Sequence, residues 1–366
     1  MRKPSIDLPD QMPEKRRTAL VDGQRVGVER FTISLRTITP IYGGGVEARK
    51  VDPVDFVRAA SIRGHLRFWW RALYGGRYAT SVDLYKAEKA IWGGTTDAQR
   101  QNGGRSRVEI GATTRGRPEV DRSEIHIQAN NREGIKRTTG AYALWMGQSQ
   151  GVHGEPGHVP AAERYKASVR FDLTVTCDEK CHAEVLTALR AWVLFGGYGG
   201  RTRRGLGSLA SGATRDAVVQ SPDRAALDQG LGHMLGVHRD GLPAVVPPTS
   251  TPSLCGAVMY YGPALDTADR AWEAALVWLQ EFRRHQRFEV NEGKGLRAVA
   301  RVAALGLPLA TAEGDLLGMA IATDATERQR DRFASPLIVK PLALADGKFV
   351  PLALWLRRAY PAHARL

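Results

Sequence analysis

The segment Phe195-Gly-Gly-Tyr-Gly-Gly-Arg-Thr-Arg-Arg-Gly-Leu-Gly-Ser208 holds six glycines, two aromatic residues and three arginines. Bare glycine backbone exposes N–H groups and lets a phosphate chain lie close. Arg201, Arg203 and Arg204 supply forked donors that match phosphate oxygens, and Tyr198 offers a ring on which a base stacks. Two common nucleotide cradles are excluded by spacing. Gly200 and Gly205 are set as in a Walker A loop, but Leu206 and Gly207 follow where a lysine and a hydroxyl are required. The dinucleotide fingerprint fails because Thr202 stands where it needs glycine. A loop of this composition is poor core material and reads as a nucleic-acid contact.

A second segment, Ser61-Ile-Arg-Gly-His-Leu-Arg-Phe-Trp-Trp-Arg-Ala-Leu73, has helical spacing. Ile62, Leu66, Leu73 and one of Trp69 and Trp70 make an apolar stripe, and these aromatics are expected in the core. Arg63, Arg67 and Arg71 recur every four residues as a basic stripe that needs either partners or solvent. Ser61 is the expected N-cap, and the free amides at that helix start suit a phosphate. Upstream, Thr39-Pro-Ile-Tyr-Gly-Gly-Gly45 places Gly43 and Gly44 in a loop whose backbone a partner can approach. These residues form the expected RNA-binding set: Gly43, Gly44, Arg63, Arg67, Arg71, Tyr198, Arg201, Arg203 and Arg204.

Other chemistry is sparse. His65 is a candidate general base, with no positioned partner visible in the sequence. Cys177 and Cys181-His182 suggest metal ligands at first sight, but adjacent residues point apart on a helix and no second cluster has zinc spacing. There is no HExxH pair, no paired-carboxylate signature and no nucleophile elbow. The expectation is no catalytic residue, no metal and no cofactor.

The whole chain is strongly basic: 52 Lys and Arg face 38 Asp and Glu across 366 residues, a net charge of +14. Such a surface favours polyanionic partners. Three cysteines form no disulfide framework, so a cytoplasmic location is expected. No apolar run approaches the roughly 18 residues a membrane span needs, so no membrane partner is expected.

The elements that must carry these motifs follow from periodicity. Residues 1–30 are expected to be a flexible basic tail. Phe31–Ile38 alternates as a strand, residues 61–74 and 81–91 as helices, 105–112 and 167–177 as strands, and 181–195 as a helix capped by Gly196-Gly197. A short strand is expected near Leu209. Residues 113–164 read as a loop-dominated insertion and 211–250 as an irregular connection. A strand at 254–261, a helix at 267–285, and two strands flanking Asp346-Gly347 follow, that dipeptide being a strong hairpin signal. The fold class is α+β, with two ferredoxin-like (RRM-like) domains in tandem: 31–215, interrupted near 113–164, and 250–366.

Taken with Glu88 and Ile91-Trp-Gly-Gly94, and with Arg332-Phe-Ala-Ser-Pro-Leu337 near the end, these motifs resemble the RAMP superfamily. More narrowly, they resemble the first-numbered RAMP subunit of the type III-B CRISPR Cmr effector complex. The resemblance implies tandem ferredoxin-like domains and a non-catalytic, RNA-binding subunit of an antiviral ribonucleoprotein. Its implied partners are crRNA, target single-stranded RNA near the crRNA 3′ end, and other Cmr RAMP subunits. Two alternatives stand beside it. One is a metal-independent endoribonuclease that processes guide precursors, using His65; the other is a scaffold whose basic surface meets acidic protein neighbours.

Overall fold

Alternation builds the first sheet. Ile33, Leu35 and Thr37 are buried between exposed Thr32, Ser34 and Arg36, and Phe171, Leu173, Val175 and Cys177 repeat the pattern on the neighbouring strand. The computed structural model describes residues 18–21, 24–94, 104–212, 218–237, 251–291 (side chains to 283) and 335–357, with short strands at 309–310, 316–317, 320–321 and 364–365. Residues 1–17 of the expected tail, parts of the expected connection (213–217, 238–250) and residues 332–334 lie outside it.

In chain order the elements are β1 (Thr18–Val21), β2 (Gln24–Thr37), β3 (Ile41–Tyr42), α1 (Ala59–Tyr74), α2 (Ser81–Trp92), β4 (Val108–Arg115), β5 (Val120–Asp121), α3 (Ala141–Leu144), β6 (Arg164–Tyr165), β7 (Arg170–Asp178), α4 (Glu179–Phe195) and β8 (Leu209–Ser211). There follow α5 (Arg224–Gln229), α6 (Leu231–Leu235), β9 (Ser253–Tyr261), α7 (Ala268–Asn291), β10 (Leu309–Ala310), β11 (Leu316–Leu317), β12 (Ala320–Ile321), β13 (Leu337–Ala343), β14 (Phe349–Arg357) and β15 (Ala364–Arg365). The class is α+β with antiparallel sheets.

In the first sheet β4 pairs with β7, β7 with β2, and β8 with the far edge of β2, all antiparallel. Helices α1 and α4 cover its apolar face, burying Leu66, Trp70, Val185 and Trp192 completely. Its other face is polar: Ser34 Oγ donates to Asp172 Oδ1 at 2.6 Å and Arg115 Nε to Asp172 Oδ2 at 2.7 Å. In the second sheet β14 lies between β13 and β9, and the β13–β14 hairpin turns at Gly347, φ +83°. Helix α7 packs on it through Trp272, Leu276 and Leu279, all buried.

Three expectations are corrected. Residues 18–21 and 24–30 are strand, β1 pairing with the extended start of β2, so the expected tail is structured from Thr18. Helix α1 starts at Ala59, two residues early, with Arg58 as the extended N-cap residue. The Arg58 N–H is taken by the Tyr198 hydroxyl at 2.7 Å, and Ser61 makes no cap. The insertion is not loop-dominated where it meets the rest of the chain. It completes a small β3–β6–β5 sheet, and Ile125, Ala143, Leu144 and Ala161 share a core with Trp272 and Leu276 of α7.

Candidate nucleic-acid interface

The Gly/Arg loop between α4 and β8 folds back against the segment 39–42. Thr39 Oγ1 donates to the Gly205 carbonyl at 2.6 Å and accepts from Ser208 N at 2.9 Å. Gly207 N reaches the Pro40 carbonyl at 2.8 Å, and Gly200 N the Tyr42 carbonyl at 2.7 Å. Glycine is required here by close packing. Gly207 has φ +61°, and a Cβ on it would sit 1.8 Å from the Tyr198 carbonyl oxygen. A Cβ on Gly205, at φ +80°, would sit 2.6 Å from Trp272 Nε1. Gly205 and Gly207 are therefore packing glycines, whereas Gly196, Gly197, Gly199 and Gly200 line the concavities beside the loop. Gly43 and Gly44 differ: at φ +74° and +107°, they have nothing within 4 Å of an added Cβ, and so form an open rim.

Folding the loop this way presents its arginines together. Arg201 takes a left-handed backbone, φ +58°, a conformation that costs a non-glycine residue on the order of 1 kcal/mol or more. Its Nε is buried and has no hydrogen-bond partner. The Arg203 guanidinium lies 5.6 Å from the centre of the Phe68 ring, joining loop to helix α1 by a cation–π contact. Arg204 faces inward: its carbonyl accepts from Trp272 Nε1 at 2.7 Å and its Nη1 approaches the Leu337 carbonyl at 3.4 Å. Arg283 of α7, donating to the Tyr142 hydroxyl at 3.2 Å, adds a fourth charge that sequence reasoning missed. It comes from a distant helix, and no spacing in the sequence links it to residue 201.

These cations are desolvated without being neutralised. Burial lowers the pKa of Arg201, Arg203 and Arg204, the last to about 10, and Arg283 pushes Arg201 and Arg204 down further. No described carboxylate offsets this. Arg201, Arg203 and Arg204 remain charged at neutral pH, so the cluster is a concentrated positive field.

Two adjoining concavities border the cluster. The first, about 390 Å³, is lined by Phe68, Trp69, Gly196, Arg201, Arg203 and Ile338, with His65 at its side. The second, about 250 Å³, lies under Gly43 and Gly44 and shares His65 as a wall. Ser61, His65, Phe68 and Trp69 are thus the α1 residues that line the concavities, spaced as one helical face.

The arginine stripe of α1 does not face it. Arg67 Nε donates to Glu88 Oε1 of α2 at 2.6 Å, and Arg71 Nη1 bonds the same oxygen. Glu88 is 4% exposed. Arg67 and Arg71 are corrected to partners of a buried carboxylate, and Arg63, half-buried on the same stripe, lines neither concavity. Tyr198 is 5% exposed, its hydroxyl bonded to Arg58 N, and it lines the smaller concavity from the loop side.

His65 lies near-parallel to Trp192, 6.0 Å between ring centres, and edge-on to Tyr198 at 6.1 Å. Burial pushes its pKa to about 4, so it is neutral at pH 7, and no charged group shifts it. Cys177, Cys181 and Cys255 are free and buried. Among the described residues no group of three His, Cys, Asp or Glu could hold a metal, and no helix is long and apolar enough to cross a membrane.

Known proteins share the fold that carries this site. Residues 34–210 match the family model of the RAMP superfamily. The CRISPR system Cmr subunit Cmr1-2 of Pyrococcus furiosus is 24% identical over 194 residues, covering 50% of this chain and 96% of that protein. The crystal structure of apo Cmr1 from Pyrococcus furiosus superposes with a TM-score of 0.57 at 19% identity, covering 91% of this chain and 88% of that one. A chain of a type III-B Cmr-beta cryo-EM structure, bound to cognate target RNA and AMPPnP, gives 0.55 at 12% identity, covering 90% and 95%. Residues 34–210, the Gly/Arg loop among them, thus match the RAMP superfamily, and the chain shares the fold of Cmr1.

Proposed function

We propose that this chain is a non-catalytic RNA-binding subunit of a type III-B CRISPR (Cmr) interference complex, capturing target single-stranded RNA near the crRNA 3′ end. The observation that carries the reading is the cluster of Arg201, Arg203 and Arg204, desolvated and without a described carboxylate, with Arg283 nearby and two open concavities beside it. Guide–target pairing supplies sequence specificity in such complexes, and the protein contributes backbone contacts and shape. The partners are then crRNA, target RNA and other Cmr RAMP subunits. The names of the similar proteins, a Cmr subunit and a Cmr complex bound to target RNA, support this assignment. Free, buried cysteines suit a reducing cytoplasm.

We read the two units, 31–215 and 250–366, as ferredoxin-like. In the first, the strand that comes fourth among β2, β4, β7 and β8 lies beside the first, then the third, then the second. The second unit repeats the first–third–second part of that order with β9, β14 and β13. RRM domains stack bases on sheet aromatics. The open face of this first sheet carries Thr32, Ser34, Arg36, Asp172 and Thr174 instead, which favours the helix-side cluster as the RNA contact.

The test is fluorescence anisotropy of a labelled single-stranded RNA titrated at several salt concentrations. Replacing Arg201 and Arg203 together by Ala weakens binding and makes the salt dependence shallower, by a slope of about 1 to 2. Arg204 is left intact because its inward position makes its loss a packing defect. Unchanged affinity and slope in the double variant refute the reading.

A further inference from the structure

The two concavities differ in charge, and that difference has a chemical meaning. The larger carries Arg201 and Arg203 and has no carboxylate in its lining. The smaller, under the open rim of Gly43 and Gly44, carries Asp52, Asp55 and Arg58, a net negative charge. With Arg58 paired to Asp52, a phosphate entering the smaller chamber meets the net negative charge left on Asp55, whereas one in the larger meets two positive charges. The smaller chamber's other walls include the rings of Phe56 and Tyr165, 5.6 Å apart between centres, and of Tyr198, with His65 shared between this chamber and the larger one. Flat, apolar-faced walls with acceptors at the edge suit a planar base.

We propose that the smaller chamber seats one nucleobase of the bound RNA, and that the Asp55 carboxylate favours a base bearing an exocyclic amino group over uracil. This rests on the RNA-binding reading above. The nucleotide's phosphate lies over Arg201 and Arg203 and its base passes beside His65 under the glycine rim. That rim is free of side chains, so a ribose can cross it.

Asp55, not Asp52, is the selecting residue. Asp52 Oδ1 already accepts from Val54 N at 2.9 Å and Asp55 N at 3.0 Å, and Oδ2 is paired with Arg58. Asp55 has 62% of its side chain exposed, and its described ion-pair contact is a single one, to Arg58 Nε at 3.4 Å. It therefore keeps acceptor capacity. Cytosine, adenine and guanine present an amino group to such an acceptor. The edge donor of uracil, its ring N–H, sits between two carbonyl oxygens that repel a carboxylate.

The experiment compares two isosteric homopolymers, oligocytidylate and oligouridylate, bound to the full-length chain. The wild type is expected to favour oligocytidylate by about fivefold or more, the low end of what one wrong base costs. Asp55→Asn offers both a donor and an acceptor and accommodates either base, so the ratio falls towards one. Removing a negative charge raises affinity for both polymers, which is why the ratio is the readout. Equal binding of the two polymers by the wild type, or an unchanged ratio in Asp55→Asn, overturns the inference and leaves RNA binding standing. Failure to bind either polymer overturns both.

Discussion

Lys340 of β13 donates through Nζ to the Gly196 carbonyl at 2.7 Å, and to that of Leu194 at 2.9 Å, with its side chain wholly buried. A cation from the second sheet thus caps the C-terminus of α4, where the Gly/Arg loop begins. Trp272, bonding the Arg204 carbonyl, grips the same loop further on. The second unit therefore holds the loop that carries Arg201 and Arg203 without supplying those residues.

Replacing Lys340 by Met exchanges two charge-assisted hydrogen bonds for relief from burying a charge. The two effects oppose, so stability changes by less than about 2 kcal/mol. RNA affinity falls several-fold, because the loop start loses its anchor. Burial lowers the Lys340 pKa to about 7 against 10.5 for a free lysine. Between those values the unfolded chain binds the extra proton, so this residue makes stability rise with pH from about 7 to 10.5. Urea unfolding across that range, wild type against Lys340→Met, shows the rise in the first only.

The Glu88 carboxylate makes the opposite prediction for the α1 stripe. Arg71→Ala leaves a buried carboxylate with Arg67 alone, and Glu88→Gln leaves two arginines without their charge partner. Both arginines are about 30% exposed and can turn to solvent, so each change costs about 1–3 kcal/mol, below the range for a fully buried pair. RNA affinity of Arg71→Ala at a temperature where it is folded stays within about twofold of wild type. A loss as large as that of the Arg201 and Arg203 double variant would return the stripe to the interface.

Much of the fold was legible because its signal is local. Period-two burial marks β2 and β7, period 3.6 marks α1 and α4, and Asp346-Gly347 marks its hairpin. The corrected elements depend on distant partners. β1 is a short edge strand that exists by pairing with β2. The start of α1 is set by a hydroxyl 140 positions away. In the site, Arg201 and Arg203 were legible as cations on a loop unfit for a core. Arg67 and Arg71 misled because Glu88 meets them only once α2 packs beside α1. Tyr198 lines the smaller concavity, but its close packing, with Gly207 against its carbonyl, could not be read from glycine neighbours that look exposed.

The insertion's docking is tested at Gly140. Its φ is +71°, and a Cβ there would lie 2.0 Å from the Trp272 ring, while its N–H is held by Glu273 and Arg137 Nη1 bonds Glu273 at 2.8 Å. Gly140→Ala combines a strained backbone with an overlap against a fully buried tryptophan, and costs about 2 kcal/mol or more. Thermal unfolding measures it. Because Trp272 also bonds the Arg204 carbonyl, RNA affinity falls along with stability. A variant as stable as wild type would mean that the insertion does not pack on α7 in solution.

His65 separates RNA binding from RNA cleavage. A free histidine titrates near 6.5, and burial brings this one to about 4. Its folded-state pKa is depressed, so its contribution is complete above pH 6.5 and is lost as pH falls towards 4, amounting to roughly 3 kcal/mol. His65→Gln removes that slope from the urea midpoint measured between pH 4 and 7. A neutral imidazole stacked on Trp192, with no charged group to orient it, is poorly placed for general acid–base work at neutral pH. Labelled repeat RNA incubated with the full chain in EDTA is accordingly expected to stay intact. Discrete products that vanish in His65→Gln would make the chain a metal-independent endoribonuclease.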